Sequence, residues 1–175
     1  SKRTYFKGED LRGKITIDLR EAFEGSTRIV NTSAGKFRIK IKPGIENNKI
    51  LRLEGKGKKS LFGGENGDLF IRIVIKGIAG YQRKGNDLIK TEYIDIYTAI
   101  LGGEINVNTF KGNIKVKIPV NNDFSKKLRI KAYGMPVYDT QNTNGDLLLD
   151  LKYILPKNLS TEERRLLQQL RSMRK

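Results

Sequence analysis

Residues 10–25, DLRGKITIDLREAFEG, and residues 87–102, DLIKTEYIDIYTAILG, decide the fold, because the second stretch repeats the first. Asp10 and Asp87 stand 77 residues apart. The same step carries Leu11 to Leu88, Ile17-Asp18 to Ile94-Asp95, Ala22 to Ala99, Gly25 to Gly102 and Val30 to Val107. The register runs on without a gap through Ile41 and Ile118, Leu51-Arg52 and Leu128-Arg129, and Gly57 and Gly134. After one inserted residue, Asn66-Gly67-Asp68-Leu69 meets Asn144-Gly145-Asp146-Leu147. Chance does not hold register over so many positions, so the chain is a duplication.

Within each copy the periodicity is that of strands. Lys14 to Leu19 alternates polar and apolar side chains, the mark of a strand with one buried face. Arg20 to Glu24 breaks the alternation and ends at Gly25, which predicts one helical turn closed by glycine. Arg28 to Asn31 reads as a short strand, Lys36 to Ile41 alternates strictly, and Pro43-Gly44 supplies a turn. Ile50 to Leu53 and Leu69 to Ile75 complete the copy. The second copy repeats these strands at Tyr93 to Ile96, Glu104 to Val107, Ile114 to Ile118, Leu128 to Lys131 and Leu147 to Leu151. The expected architecture is mostly β: two tandem, homologous small β-sandwich units with short helical turns, then a C-terminal helix. Expected boundaries are 1–78, 79–156 and 157–175, with a glycine-rich junction over residues 76–85.

The last segment changes period. Ser160-Thr161-Glu162-Glu163 is a capping box. Leu166, Leu167, Leu170 and Met173 then fall on one helical stripe. Arg171, Arg174 and Lys175 complement the negative end of the helix dipole. So short a helix is marginal alone in water and needs a partner surface. Two are open: its own second unit, or the same stripe of a second chain.

Composition narrows the function. The chain has no cysteine and no histidine. Disulfides, thiolate metal sites, Cys nucleophiles and Ser-His-Asp arrangements are thereby excluded. The 19 acidic residues are scattered, without the paired carboxylates of a glycosidase. Gly55 to Ser60, GKGKKS, lacks the spacing and the helix start of a phosphate loop. No enzyme, cofactor or metal is expected. No run approaches the ~20 apolar residues of a membrane span. The opening SKRTYFKGED lacks a signal-peptide core, so the chain reads as beginning inside a longer protein, in a reducing cytoplasm. The net charge of +16 has two readings. One is attraction to nucleic acid or acidic partners; the other is a lysine-rich surface without a specific partner.

These residues resemble the C-terminal region of DnaJ-type co-chaperones, the forty-kilodalton heat-shock family. GEDLRGKITIDLREAFEG, IKIKPGIENNKILRLEGKG and NGDLFIRIVI are similar to the elements of that family's first unit. NDLIKTEYIDIYTAILGGEINVNTFKGNIKVKIP is similar to the opening of its second. The family's His-Pro-Asp motif has no counterpart, since histidine is absent. Its zinc-binding Cys-x-x-Cys repeats are missing between Val30 and Gly35. The fragment therefore resembles class B members, including the bacterial curved-DNA-binding type.

The resemblance implies a co-chaperone fragment that binds extended hydrophobic segments of unfolded clients and supports protein folding. It implies a client groove at Ile15, Ile17, Val30, Thr32 and Ile71, each of which also reads as ordinary core. The acidic tail of the seventy-kilodalton heat-shock chaperone would meet Arg28, with Lys14 or Lys40 nearby. Leu166, Leu167, Leu170 and Met173 would form a homodimer contact, and the second unit would serve as spacer and dimer scaffold. The rival class is a basic β-rich nucleic-acid binding module. Weak DNA binding would use the charge and aromatics such as Tyr81, Tyr97 and Tyr133.

Overall fold

In the computed structural model, residues 6–174 are described. The first copy consists of β1 (Leu11–Asp18), α1 (Leu19–Glu24), β2 (Ser26–Thr32), β3 (Gly35–Ile41), β4 (Ile50–Leu53) and β5 (Leu69–Lys76). The second consists of β6 (Tyr81–Lys84), β7 (Asp87–Asp95), α2 (Ile96–Leu101), β8 (Gly103–Thr109), β9 (Gly112–Ile118), β10 (Leu128–Ile130) and β11 (Leu147–Ile154). Helix α3 (Thr161–Met173) follows. The chain is mostly β, as its alternation predicts, and it is arranged in several small sheets.

The duplication extends to topology. One sheet has the order β1-β5-β4, and the other has β10-β11-β7-β6. Read from the other side, the second is β7-β11-β10 with β6 added at its edge. Each copy also has a separate two-stranded ribbon, β2-β3 and β8-β9. Strands β1 and β5 are parallel, with Ile15 opposite Ile73 and Ile17 opposite Ile75. The two compact units of the chain do not follow the repeat. One unit holds the described residues up to Lys90 with Arg129–Leu148, and the other holds Thr91–Leu128 with the described residues from Leu149 on.

Strand β6 lies in the stretch read from sequence as a glycine-rich junction. Tyr-Gln-Arg-Lys carries no apolar alternation, yet it pairs antiparallel with β7, Tyr81 opposite Lys90 and Lys84 opposite Asp87. Strand β7 also ends one residue earlier than expected. Asp95 caps α2 by accepting from the Thr98 N–H at 2.9 Å and from the Thr98 hydroxyl at 2.7 Å, so Ile96 opens a helix. In the first copy Asp18 does the same for α1, accepting from the Glu21 N–H at 2.8 Å. Glu21 returns the contact by accepting from the Asp18 N–H at 3.2 Å. Gly25 and Gly102 close these helices at φ 78° and 75°.

The deepest correspondence is polar. The nearly buried Asp68 carboxylate accepts from the Gly55 N–H at 2.9 Å, from Lys7 at 3.0 Å and from Arg52 at 2.6 and 2.9 Å. Its own N–H donates to Asp10 at 2.7 Å. In the second copy Asp146 accepts from the Ala132 N–H at 2.8 Å and from Arg129 at 2.5 Å, and its N–H donates to Asp87 at 2.7 Å. The backbone agrees: Gly57 donates to Gly67 at 2.7 Å, and Gly134 donates to Gly145 at 2.8 Å. A carboxylate satisfied in this way, buried in the first copy and half-buried in the second, fixes the turn before the last strand of each copy. The glycines allow the approach. A Cβ on Gly57 would lie 2.5 Å from the carbonyl carbon of Gly67, and one on Gly134 would lie 2.5 Å from that of Gly145.

Candidate functional site

Of the five expected groove residues, three are brought together. Ile15, Ile17 and Ile71 share the buried face of the β1-β5-β4 sheet, because side chains two apart on a strand point the same way. Ile71 and Ile17 are buried, and Ile15 retains 8% of its surface. Sequence reasoning passed over Gly13, whose register partner is Ile71. The Ile71 Cδ1 lies 2.8 Å from where a Cβ on Gly13 would be, so the glycine lets that side chain lie across β1. Val30 and Thr32 are on the ribbon instead. Both are half-buried, Val30 opposite Phe37 and Thr32 opposite Gly35. The Thr32 hydroxyl is occupied by the turn: it donates to the Gly35 carbonyl at 3.1 Å and accepts from the Ala34 N–H at 3.1 Å. Strand β1 has a strand neighbour on one side only, which leaves it at the sheet edge.

The three expected cations do not converge. Arg28 is engaged by Glu21 of α1. Lys40 lies one residue beyond Arg28's register partner Ile39, so it falls on the other face of the ribbon. Lys14 belongs to β1, on the face opposite the isoleucines. That outer face was not read from the sequence as a unit. Arg12, Gly13, Lys14, Ile50, Phe70 and Arg72 line a hollow of about 610 Å³ across β1, β5 and β4. Lys14 is directly opposite Arg72, Arg12 opposite Phe70, and Ile50 opposite Arg72. The signal for it lay in the polar half of the alternation, which strand reading discards as solvent-facing.

A single family match spans both copies. The model of the DnaJ C terminal domain matches residues 7–156. The chain belongs to this family. Proteins named "Chaperone protein DnaJ" from Brucella canis, Brucella suis and Brucella ovis are 36% identical to it over 163 residues. The alignment covers 93% of this chain and 42% of each relative, so the chain spans less than half the length of the curated proteins it matches.

Within this DnaJ C-terminal domain, β2 turns directly into β3 through Ser33 and Ala34. Among the described residues, no group of three or more Asp or Glu side chains is placed to hold a metal ion. No described helix is long and apolar enough to cross a membrane. Tyr81, Tyr97 and Tyr133 lie on β6, on α2 and in the turn after β10, so they form no single row along one element. Helix α3 follows the matched residues. Its cap is complete, with Ser160 accepting from the Glu163 N–H at 3.2 Å and Glu163 accepting from the Ser160 N–H at 2.7 Å. Leu166, Leu167, Leu170 and Met173 are 42–74% exposed, and none of the helix is buried within one chain.

Proposed function

We propose that this chain is the client-binding part of a DnaJ-type co-chaperone. In this reading, residues 1–78 hold extended apolar segments of unfolded proteins, residues 79–156 act as spacer, and residues 157–175 join two chains. The observation that carries the reading is β1, a strand at a sheet edge whose inward face is isoleucine. An extended segment adds to such an edge through backbone hydrogen bonds, while alternate side chains enter apolar hollows. Backbone pairing reads no side chain, so one site accepts many sequences. Each aliphatic side chain buried contributes about 1.5–3 kcal/mol, which makes one site weak. Two sites in a dimer gain by effective concentration. The groove in this proposal comprises Ile15, Ile17, Ile71, Val30 and Thr32, with Val30 and Thr32 as its more open members.

The acidic tail of a seventy-kilodalton partner chaperone is a second occupant in this proposal, met by Arg28, Lys14 or Lys40. For Arg28 the contact is an exchange, because an incoming carboxylate displaces Glu21.

The test is suppression of aggregation of a reduced, unfolding protein. Ile15→Asp is a poor probe, since a charge at a buried position damages the fold itself. Val30→Asp acts at a half-buried position, and we expect about tenfold weaker suppression with unchanged circular dichroism. Unaltered suppression by Val30→Asp would rule the groove out.

A further inference from the structure

We infer that the outer face of the β1-β5-β4 sheet is a seat for an acidic peptide segment, with carboxylates on Arg12, Lys14 and Arg72 and an apolar side chain between Phe70 and Ile50. This goes beyond the groove reading, since none of these residues belongs to the buried isoleucine face; it rests on the acidic-tail reading, with which it shares Lys14, and moves that contact away from Arg28 and Lys40 to the outer face of the sheet. Three observations carry it. First, the three cations belong to adjacent strands of one sheet and line one hollow. Second, their side chains have no ion pair or hydrogen bond among the described residues, whereas neighbouring Arg52 is held by Asp68. Third, Lys14 and Arg72 are exact register partners across a parallel pair, and like charges directly opposite destabilise a sheet. The free protein thus carries a repulsion that an anionic ligand relieves.

The lining selects the kind of anion. Ile50 is 52% exposed and Phe70 is half-buried, so an apolar floor lies among the charges. A free phosphate or a sulfate cannot use that floor. Single-stranded nucleic acid binds through successive aromatic platforms, and this hollow has a single ring. A peptide that places a carboxylate on either side of an aliphatic side chain satisfies both the charge and the floor.

The experiment uses the whole chain and a fluorescent peptide of repeated Glu-Ser-Leu-Ser, whose extended form puts Glu and Leu on one face, read by anisotropy at low and at moderate salt. We expect saturable binding that weakens with salt, and at least tenfold weaker binding of the matched peptide with Gln in place of Glu. Lys14→Glu places a carboxylate opposite Arg72. It should raise the melting temperature while weakening peptide binding at least tenfold, a combination that misfolding cannot produce. Arg72→Gln, which only neutralises, should give the same direction on both readouts. Lys36→Glu on the ribbon is the control and should bind as the parent does.

Binding that survives both Lys14→Glu and Arg72→Gln would overturn the inference. So would peptide binding that falls with Lys36→Glu instead, or tighter binding of oligothymidine at the same residues than of the peptide. In each case aggregation suppression, measured on the same variants, reports separately on the groove. Its loss in Val30→Asp alone would leave the groove reading standing while this seat fails.

Discussion

Ala132 shows how closely the two copies are superimposed. It occupies the place of Gly55, and it keeps the same left-handed backbone, φ 60° against 65°. Both residues donate their N–H to the turn aspartate of their copy, Asp68 or Asp146. Glycine adopts that conformation freely and alanine does not. Ala132→Gly should therefore stabilise the protein by about 0.5–1 kcal/mol. Gly55→Ala should cost about 1 kcal/mol, with no steric part, since nothing lies within 4 Å of its missing Cβ. Urea melts of both variants check the pair. Asp68 makes a pH prediction. The Gly55 N–H, then Lys7 and then Arg52, hold its carboxyl well below the ordinary carboxylate range. A carboxylate depressed in the folded state adds stability above its unfolded pKa of about 3.9. That stability is lost as pH falls from there toward the folded value. Asp68→Asn should lower the melting temperature at pH 7 and flatten its fall below about pH 4. An equally steep acid limb in the variant would remove Asp68 from the account.

Elements were legible where periodicity governed them. The strict alternation of Lys36 to Ile41 and the paired turn Asn66-Gly67-Asp68 placed β3 and β5 to within a residue or two. Strand β6 was not legible, because Tyr81 to Lys84 pairs through its backbone and displays no apolar face to count. The separation of sheet from ribbon was hidden for a similar reason. Ile15 and Val30 have the same apolar character in sequence, and only pairing places one on β1 beside β5 and the other on β2 opposite Phe37. The outer cationic hollow escaped because strand reading follows the buried half of an alternation. Helix α3 has every local signal of a helix, and none of its residues is buried among the described residues. The proposal that a second copy covers its leucines predicts that truncation after Leu159 halves the mass in sedimentation equilibrium. An unchanged mass would remove α3 from the dimer contact.

At the scale of the molecule, duplication explains more than repetition of shape. The two copies share the aspartate-centred turn, the capped helix and the ribbon, yet they differ in what they leave open. The first copy offers an isoleucine-faced edge strand and an outer face of unpaired cations. In the second, the strand equivalent to β1 is flanked by β11 and, over Asp87–Lys90, also by β6, and Glu92 stands where the first copy has Ile15. That partial cover, with a charged residue on the remaining edge, is the physical basis for proposing client contact on the first copy: the stretch already paired cannot accept a further strand. Amide hydrogen exchange with a saturating unfolded client tests this most directly. The account predicts added protection in β1, over Leu11–Asp18, with β7 unchanged. Equal protection of β7, or none in β1, would contradict it.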